Sequence, residues 1–271
     1  MRPGMQRGSG TSDEVRRLPW ERHGATGSGS TSTGRRAGRM FDVIPLGTLA
    51  SVPPGLILSR IHRRAWSSRT SVMVTCELQR RSWSSHPGPA REITFVHPGA
   101  FPALPAALPD ARGEDALTLA ALERTRLAGA GRLAVAYEHG QLAAVHFIHT
   151  HEHEAALERV SPGLYPPLDR DAALTESLFV FPAFRCRGVA TALLRASAAE
   201  LARRGFRHAM AVIDVNNRGS LRAFDAAGFT PSGMVRVDSY RLGSRSSRVV
   251  PLDAETARRY RHAVAREPRA A

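Results

Sequence analysis

At 271 residues the chain has room for one sizeable domain with extensions, and its 42% hydrophobic content is ordinary for a globular protein in water. The formal net charge of +14 rests on arginine alone, since the sequence holds no lysine; residues 1–90 carry +9 of it and residues 91–271 only +5. Two cysteines, Cys76 and Cys186, exclude a disulfide framework and a cysteine-rich metal site. No apolar run is long enough to span a bilayer, because Asp42, Pro45, Pro53 and Pro54 interrupt the nearest, Phe41 to Leu58.

In chain order, residues 1–39 are rich in Gly, Ser, Thr and Arg without apolar period and read as a disordered arm. Met40-Phe41-Asp42-Val43-Ile44 reads as a second start, which the intact mass of the natively expressed protein tests. The N-terminus lacks the compact apolar core of a signal peptide, so the cytoplasm is the expected location. Residues 40–113 form either the N-terminal part of a domain or an extension to it. Within them, 55–66 has helical spacing and Thr70 to Leu78 alternates as a strand, while Pro98 to Gly113 is a loop or broken helix. Asp115 to Leu127 reads as a helix buried through Leu117, Ala120, Leu122 and Leu127. Strand-like runs at 133–137 and 142–149 flank Glu138-His139-Gly140-Gln141, a tight hairpin. His151 to Asp171 reads as a long polar loop. A strand at 174–181, a helix at 187–204, a strand at 208–215 and a helix at 217–227 follow, the last capped by Asn217 and ended by Gly228. Strands near 233–241 and 246–252 precede a basic C-terminal helix or tail, 253–271.

The densest signal lies between the strand at 174–181 and the helix after it. Arg185-Cys186-Arg187-Gly188-Val189-Ala190-Thr191 strips side chains from a helix start, leaving free backbone N–H groups at the positive end of the helix dipole. Small residues at 188 and 190 admit a polyanion, and Arg185 and Arg187 add charge, which makes this a candidate pyrophosphate cradle. Further on come Asn217, Ser220 and Gly228-Phe229. With both motifs in this order, residues 174–233 resemble the GNAT superfamily of acyl-CoA-dependent N-acyltransferases, and a looser resemblance covers 114–252.

The resemblance implies an α/β fold with a mixed, largely antiparallel sheet, splayed between the strands at 174–181 and 208–215 to take a pantetheine arm. It implies acetyl transfer from acetyl-CoA, as co-substrate, to a primary amine on a small molecule or peptide. A backbone N–H of Phe179, Val180 or Phe181 would hold the thioester carbonyl. Asn217 and Phe224 would line the pantetheine side. Glu176, on the strand where several relatives carry a catalytic glutamate, is the candidate base; it reads equally as a sheet-edge glutamate or one paired with arginine. Many relatives place a proton-donating tyrosine where this chain has Phe224, so departure of CoA as a free thiolate, Tyr240, a water, or loss of catalysis in a coenzyme-binding module are the alternatives. Cys186 reads as a small filler.

Among other readings, His146, His149, His151 and His153 invite a metal, yet no cysteine or second shell accompanies them, and no metal is expected. The histidines read instead as loop residues, or His146 or His149 as a reserve base at the acceptor end. The arginines of residues 1–90 lack interleaved aromatics or a reading motif, so no specific nucleic-acid partner is expected. No membrane partner is expected, and a homodimer is an open expectation from the relatives.

Overall fold

The structure is a computed structural model that describes residues 66–80, 82–83, 91–102, 104, 114–160, 165, 167–241 and 244–265. The helix expected at 55–66 and the arm at 1–39 fall outside the described residues, except that Trp66 opens a strand rather than closing a helix. The strands are β1 (Trp66–Glu77), β2 (Arg91–Val96), β3 (Arg132–Glu138), β4 (Gln141–His149), β5 (Ala172–Val180), β6 (His208–Asp214), β7 (Thr230–Arg241) and β8 (Ser244–Pro251). The α-helices are α1 (Glu114–Leu127), α2 (Glu154–Val160), α3 (Val189–Arg203), α4 (Arg218–Ala227) and α5 (Ala254–Val264).

Among the described residues the eight strands form one sheet in the order β2-β3-β4-β5-β6-β1-β7-β8. Each neighbouring pair is antiparallel except β5 and β6. The sheet thus extends ahead of residue 114. The alternation of Val72, Val74 and Cys76 buries one face of β1, all three at 2% exposure or less. β1 is threaded between β6 and β7, its Ser71 to Glu77 opposite Asp214 to His208. β2, which the sequence pattern does not announce, is an edge strand on β3. Hairpin β3–β4 turns through His139 and Gly140, both at positive φ (52° and 75°), which matches the right-handed strand twist.

The β5–β6 pairing lasts only from Ala172–Leu174 against His208–Met210, after which the two strands part. A gap therefore opens between the later halves of both strands.

Three boundaries differ from the sequence expectation. Residues 151–171 are not all loop: a 3₁₀ turn at His151–His153 runs into α2. The His153 ring nitrogen accepts the Thr150 N–H (3.0 Å), and Leu157 is buried, so a local cap and one apolar anchor hold a helix that its polar composition hides. In α1, Leu127 is 70% exposed, and Leu119 and Leu122 supply the buried side with Ala116 and Ala120. Helix α3 starts at Val189 because Gly188 takes a left-handed φ of 75°. The apolar side of α3, Val189, Leu193, Leu194 and Leu201, lies in the main core.

Candidate active site

The cradle is a bend of the chain. Cys186 (φ 61°) and Gly188 (φ 75°) place left-handed residues on either side of Arg187, a conformation in which successive N–H groups turn inward. The first helical bond of α3 runs from the Ala192 N–H to the Gly188 carbonyl (3.0 Å), so the N–H groups of Val189, Ala190 and Thr191 have no helical acceptor. Residues 185 to 188 are exposed.

The two arginines differ in role. Arg185 is tied down: its Nε donates to the Val180 carbonyl (3.1 Å), its Nη2 pairs with Asp115 (2.6 Å), and its guanidinium lies 5.8 Å from the Phe179 ring centre. It braces the loop onto β5 and α1. The Arg187 side chain is 54% exposed, with only a 3.8 Å approach to Glu138 and a 5.9 Å approach to the Phe184 ring, so it can swing to a phosphate. Sequence reasoning missed Arg91, which donates to the Arg187 carbonyl (2.5 Å) and pairs with Glu138 (3.3 Å). It fixes the cradle's backbone from β2, and nothing local in the sequence signals an edge strand reaching this far.

Strand β5 carries a bulge. Val145 faces Phe179 while Phe147 faces Glu176, so three residues of β5 span two of β4, and Ser177 absorbs the extra one at φ 57°. Simple alternation of Glu176, Leu178 and Val180 therefore fails: Glu176 shares a face with Phe179 instead. Among the expected carbonyl donors, the Phe181 N–H is already bonded to the Ala143 carbonyl (3.0 Å). Successive N–H groups point to opposite edges, so Phe179 also faces β4, and the Val180 N–H is the one aimed into the gap beside β6.

Glu176 lies beside a histidine and a tyrosine, not at an arginine. His149 Nε2 stands 3.2 Å from its Oε2, and its Oε1 receives the hydroxyls of Tyr165 and Ser177 (3.2 Å for Ser177). Burial pushes the Glu176 carboxyl up, but His149, Tyr165 and Ser177 together outweigh it and hold the group below its ordinary value. Burial, then the Glu176 charge, pushes the Tyr165 phenol well above the ordinary range. His149 is fully buried, stacked on Phe147 (5.8 Å, 13°) with His153 edge-on (6.4 Å).

The other sequence candidates lie elsewhere. Phe224 is 4% exposed and packs edge-to-face on Phe229 at 5.0 Å within the main core. Asn217 caps α4, its side-chain oxygen accepting the Ser220 N–H (3.1 Å). Tyr240 sits on β7 opposite Arg245, whose guanidinium is 5.9 Å from its ring. His146 is fully buried against Ser197 of α3 (2.7 Å). Among the described residues, no group of three His, Cys, Asp or Glu is arranged to hold a metal ion. Nor is any helix among them long and apolar enough to cross a membrane.

The sheet parts between β5 and β6, and a bend of N–H groups without helical acceptors lies between β5 and α3. Residues 90–229, more than half of the chain, match the Acetyltransferase (GNAT) family, and the chain belongs to that family. No curated protein matches it in a sequence comparison. Among solved structures, an acetyltransferase from the GNAT family of Colwellia psychrerythraea is 13% identical, over 69% of this chain and 61% of that one, with a TM-score of 0.43. A GCN5-related N-acetyltransferase from Kribbella flavida is 12% identical over 69% and 64% of the two chains, with a TM-score of 0.40. The yncA protein of Salmonella typhimurium, solved with its cofactor acetyl-CoA, is 21% identical over 61% and 95%, with a TM-score of 0.32. The chain spans less than two thirds of the length of the first two. These likenesses are of fold alone.

Proposed function

We propose that the chain is a cytoplasmic N-acetyltransferase that moves the acetyl group of acetyl-CoA directly to a primary amine of a small molecule or peptide. The observation that carries this reading is the cradle. Free N–H groups at Val189, Ala190 and Thr191, opened by left-handed Cys186 and Gly188, meet the requirement of a pyrophosphate, with Arg187 exposed beside them. A pantetheine arm running into the gap between β5 and β6 brings the thioester carbonyl to the Val180 N–H, where the developing oxyanion needs a donor. Glu176 is then the base that receives the amine's proton.

Calorimetric titration of acetyl-CoA into the parent and an Arg187→Glu/Gly188→Glu variant tests the cradle. Micromolar binding lost in the variant is the expected result; a folded parent that binds none removes the reading.

A second reading is a non-catalytic acyl-CoA-binding module. Phenylalanine at position 224 favours it, since no proton donor stands there. It predicts acetyl-CoA binding with no thiol released in the presence of any amine.

A further inference from the structure

We propose that Tyr165 is the catalytic group that meets the acceptor amine, that Glu176 acts through it, and that His149 is the positioning residue behind the carboxylate. The inference rests on the transferase reading above. Oε1 of Glu176 is engaged before a substrate arrives, accepting from the Tyr165 and Ser177 hydroxyls, while His149 Nε2 stands 3.2 Å from Oε2. The Oε1 side of this carboxylate is thus occupied by two hydroxyl donors. Tyr165, by contrast, lines a cavity of about 310 Å³ with Leu157 and Glu154 of α2 and Leu168, while Glu176 does not line it. The tyrosine connects the cavity to the partly buried carboxylate.

A neutral phenol can accept one proton while giving up another. As the amine nitrogen bonds to the thioester carbonyl carbon, its proton passes to the Tyr165 oxygen and the tyrosine's own proton passes to Glu176 Oε1. The C–S bond then breaks, CoA leaves as a thiolate, and the carboxyl proton returns through the hydroxyl to solvent, from which the thiolate takes one back. An attacking amine grows acidic as it bonds to carbon, so a carboxylate of low basicity suffices at the end of the chain. The His149 ring fixes that carboxylate. It is locked by Phe147 on one side and by Gly131 on another, where an added Cβ would come within 2.6 Å of Nδ1. The charged and titratable groups around the relay are His149, His153, Glu154, Glu158, Arg236 and Arg245.

The test uses the full chain with acetyl-CoA and a panel of a diamine, an amino sugar, an amino acid and a short peptide, read by thiol release. Tyr165→Phe is expected to keep its melting temperature and acetyl-CoA affinity while kcat falls about a hundredfold. Tyr165→Phe/Glu176→Gln is expected to be no slower than the worse single variant, as for residues acting as one unit. His149→Gln is expected to move the acidic limb of kcat/KM to higher pH, because the first of the three groups that lower Glu176 is gone; a purely structural role would lower activity without moving the limb. Full activity in folded Tyr165→Phe, multiplying losses in the double variant, or an unmoved limb overturns the proposal. A wild-type chain that binds acetyl-CoA and releases no thiol with any amine overturns the transferase reading as well. An active wild type beside an equally active Tyr165→Phe overturns this inference alone.

Discussion

His146 and His149 lie three residues apart on one strand and have opposite chemistry. His149 faces a carboxylate at 3.2 Å, whereas His146 faces the hydroxyl of Ser197 and a backbone carbonyl inside the core. Burial therefore holds the His146 imidazole down to about 4 from its usual 6.5. The folded state refuses a proton that the unfolded chain accepts, so stability is full above about 6.5 and declines as the pH falls from there towards about 4. The loss is roughly 3 kcal/mol. His146→Gln, which keeps a donor for Ser197, should flatten that part of the stability–pH curve in urea unfolding at pH 5 and 7.5; an unchanged slope would reassign it. Gly131 makes a sharper prediction. A Cβ there would lie 2.6 Å from both His149 Nδ1 and the Ile148 carbonyl, at a φ of 82°. Gly131→Ala should cost about 2 kcal/mol. Gly129→Ala, with φ 66° but open space around it, should cost less. Equal losses at both sites would mean that backbone strain alone decides.

At the scale of elements, what could be read in the sequence was what local chemistry dictates. A small residue at 188 in the cradle, an asparagine that caps α4 and a His-Gly turn at 139–140 each announce themselves by residue type, though the left-handed φ that starts α3 one residue later does not. The order of the later elements follows from pattern and caps, whereas the splay and Glu176 as a candidate base come from the family resemblance; the short β5–β6 pairing gives the splay a physical basis. Other features had no such signal. Ser177 carries the β5 bulge without being Gly or Asn, so alternation misplaced Glu176 relative to Leu178 and Val180. Tyr165 reaches Glu176 only after the segment before β5 folds back, a contact no periodicity encodes. Helix α2 hides behind His and Glu because its hold is a cap at Thr150 and the Glu154 carboxylate accepting the Leu168 N–H. Edge strand β2 matters through one side chain, Arg91, which reaches across to the cradle.

At the scale of the whole molecule, the family match begins at residue 90, yet the sheet does not. Strand β1 lies ahead of that match and stands between β6 and β7, with Val72 and Val74 in the same core as Leu193 of α3. A chain beginning at residue 90 would leave two facing strand edges unpaired. It should fail to unfold cooperatively in urea and should aggregate. A cooperative transition at the parent's midpoint would show that β1 is an addition the sheet does not need.

The same insertion sets an order of events on the ribosome. Strand β1 is made early, but the Ser232 hydroxyl that bonds to the Met73 carbonyl lies 159 positions downstream. Its two strand partners, β6 and β7, are equally late. Through most of synthesis this apolar strand has no native neighbour, and closing so long a loop is entropically slow. Folding of the sheet is therefore expected to be post-translational and slow for the size of the chain. The nascent protein should lean on chaperones that shield an unpaired strand until the last hairpin arrives.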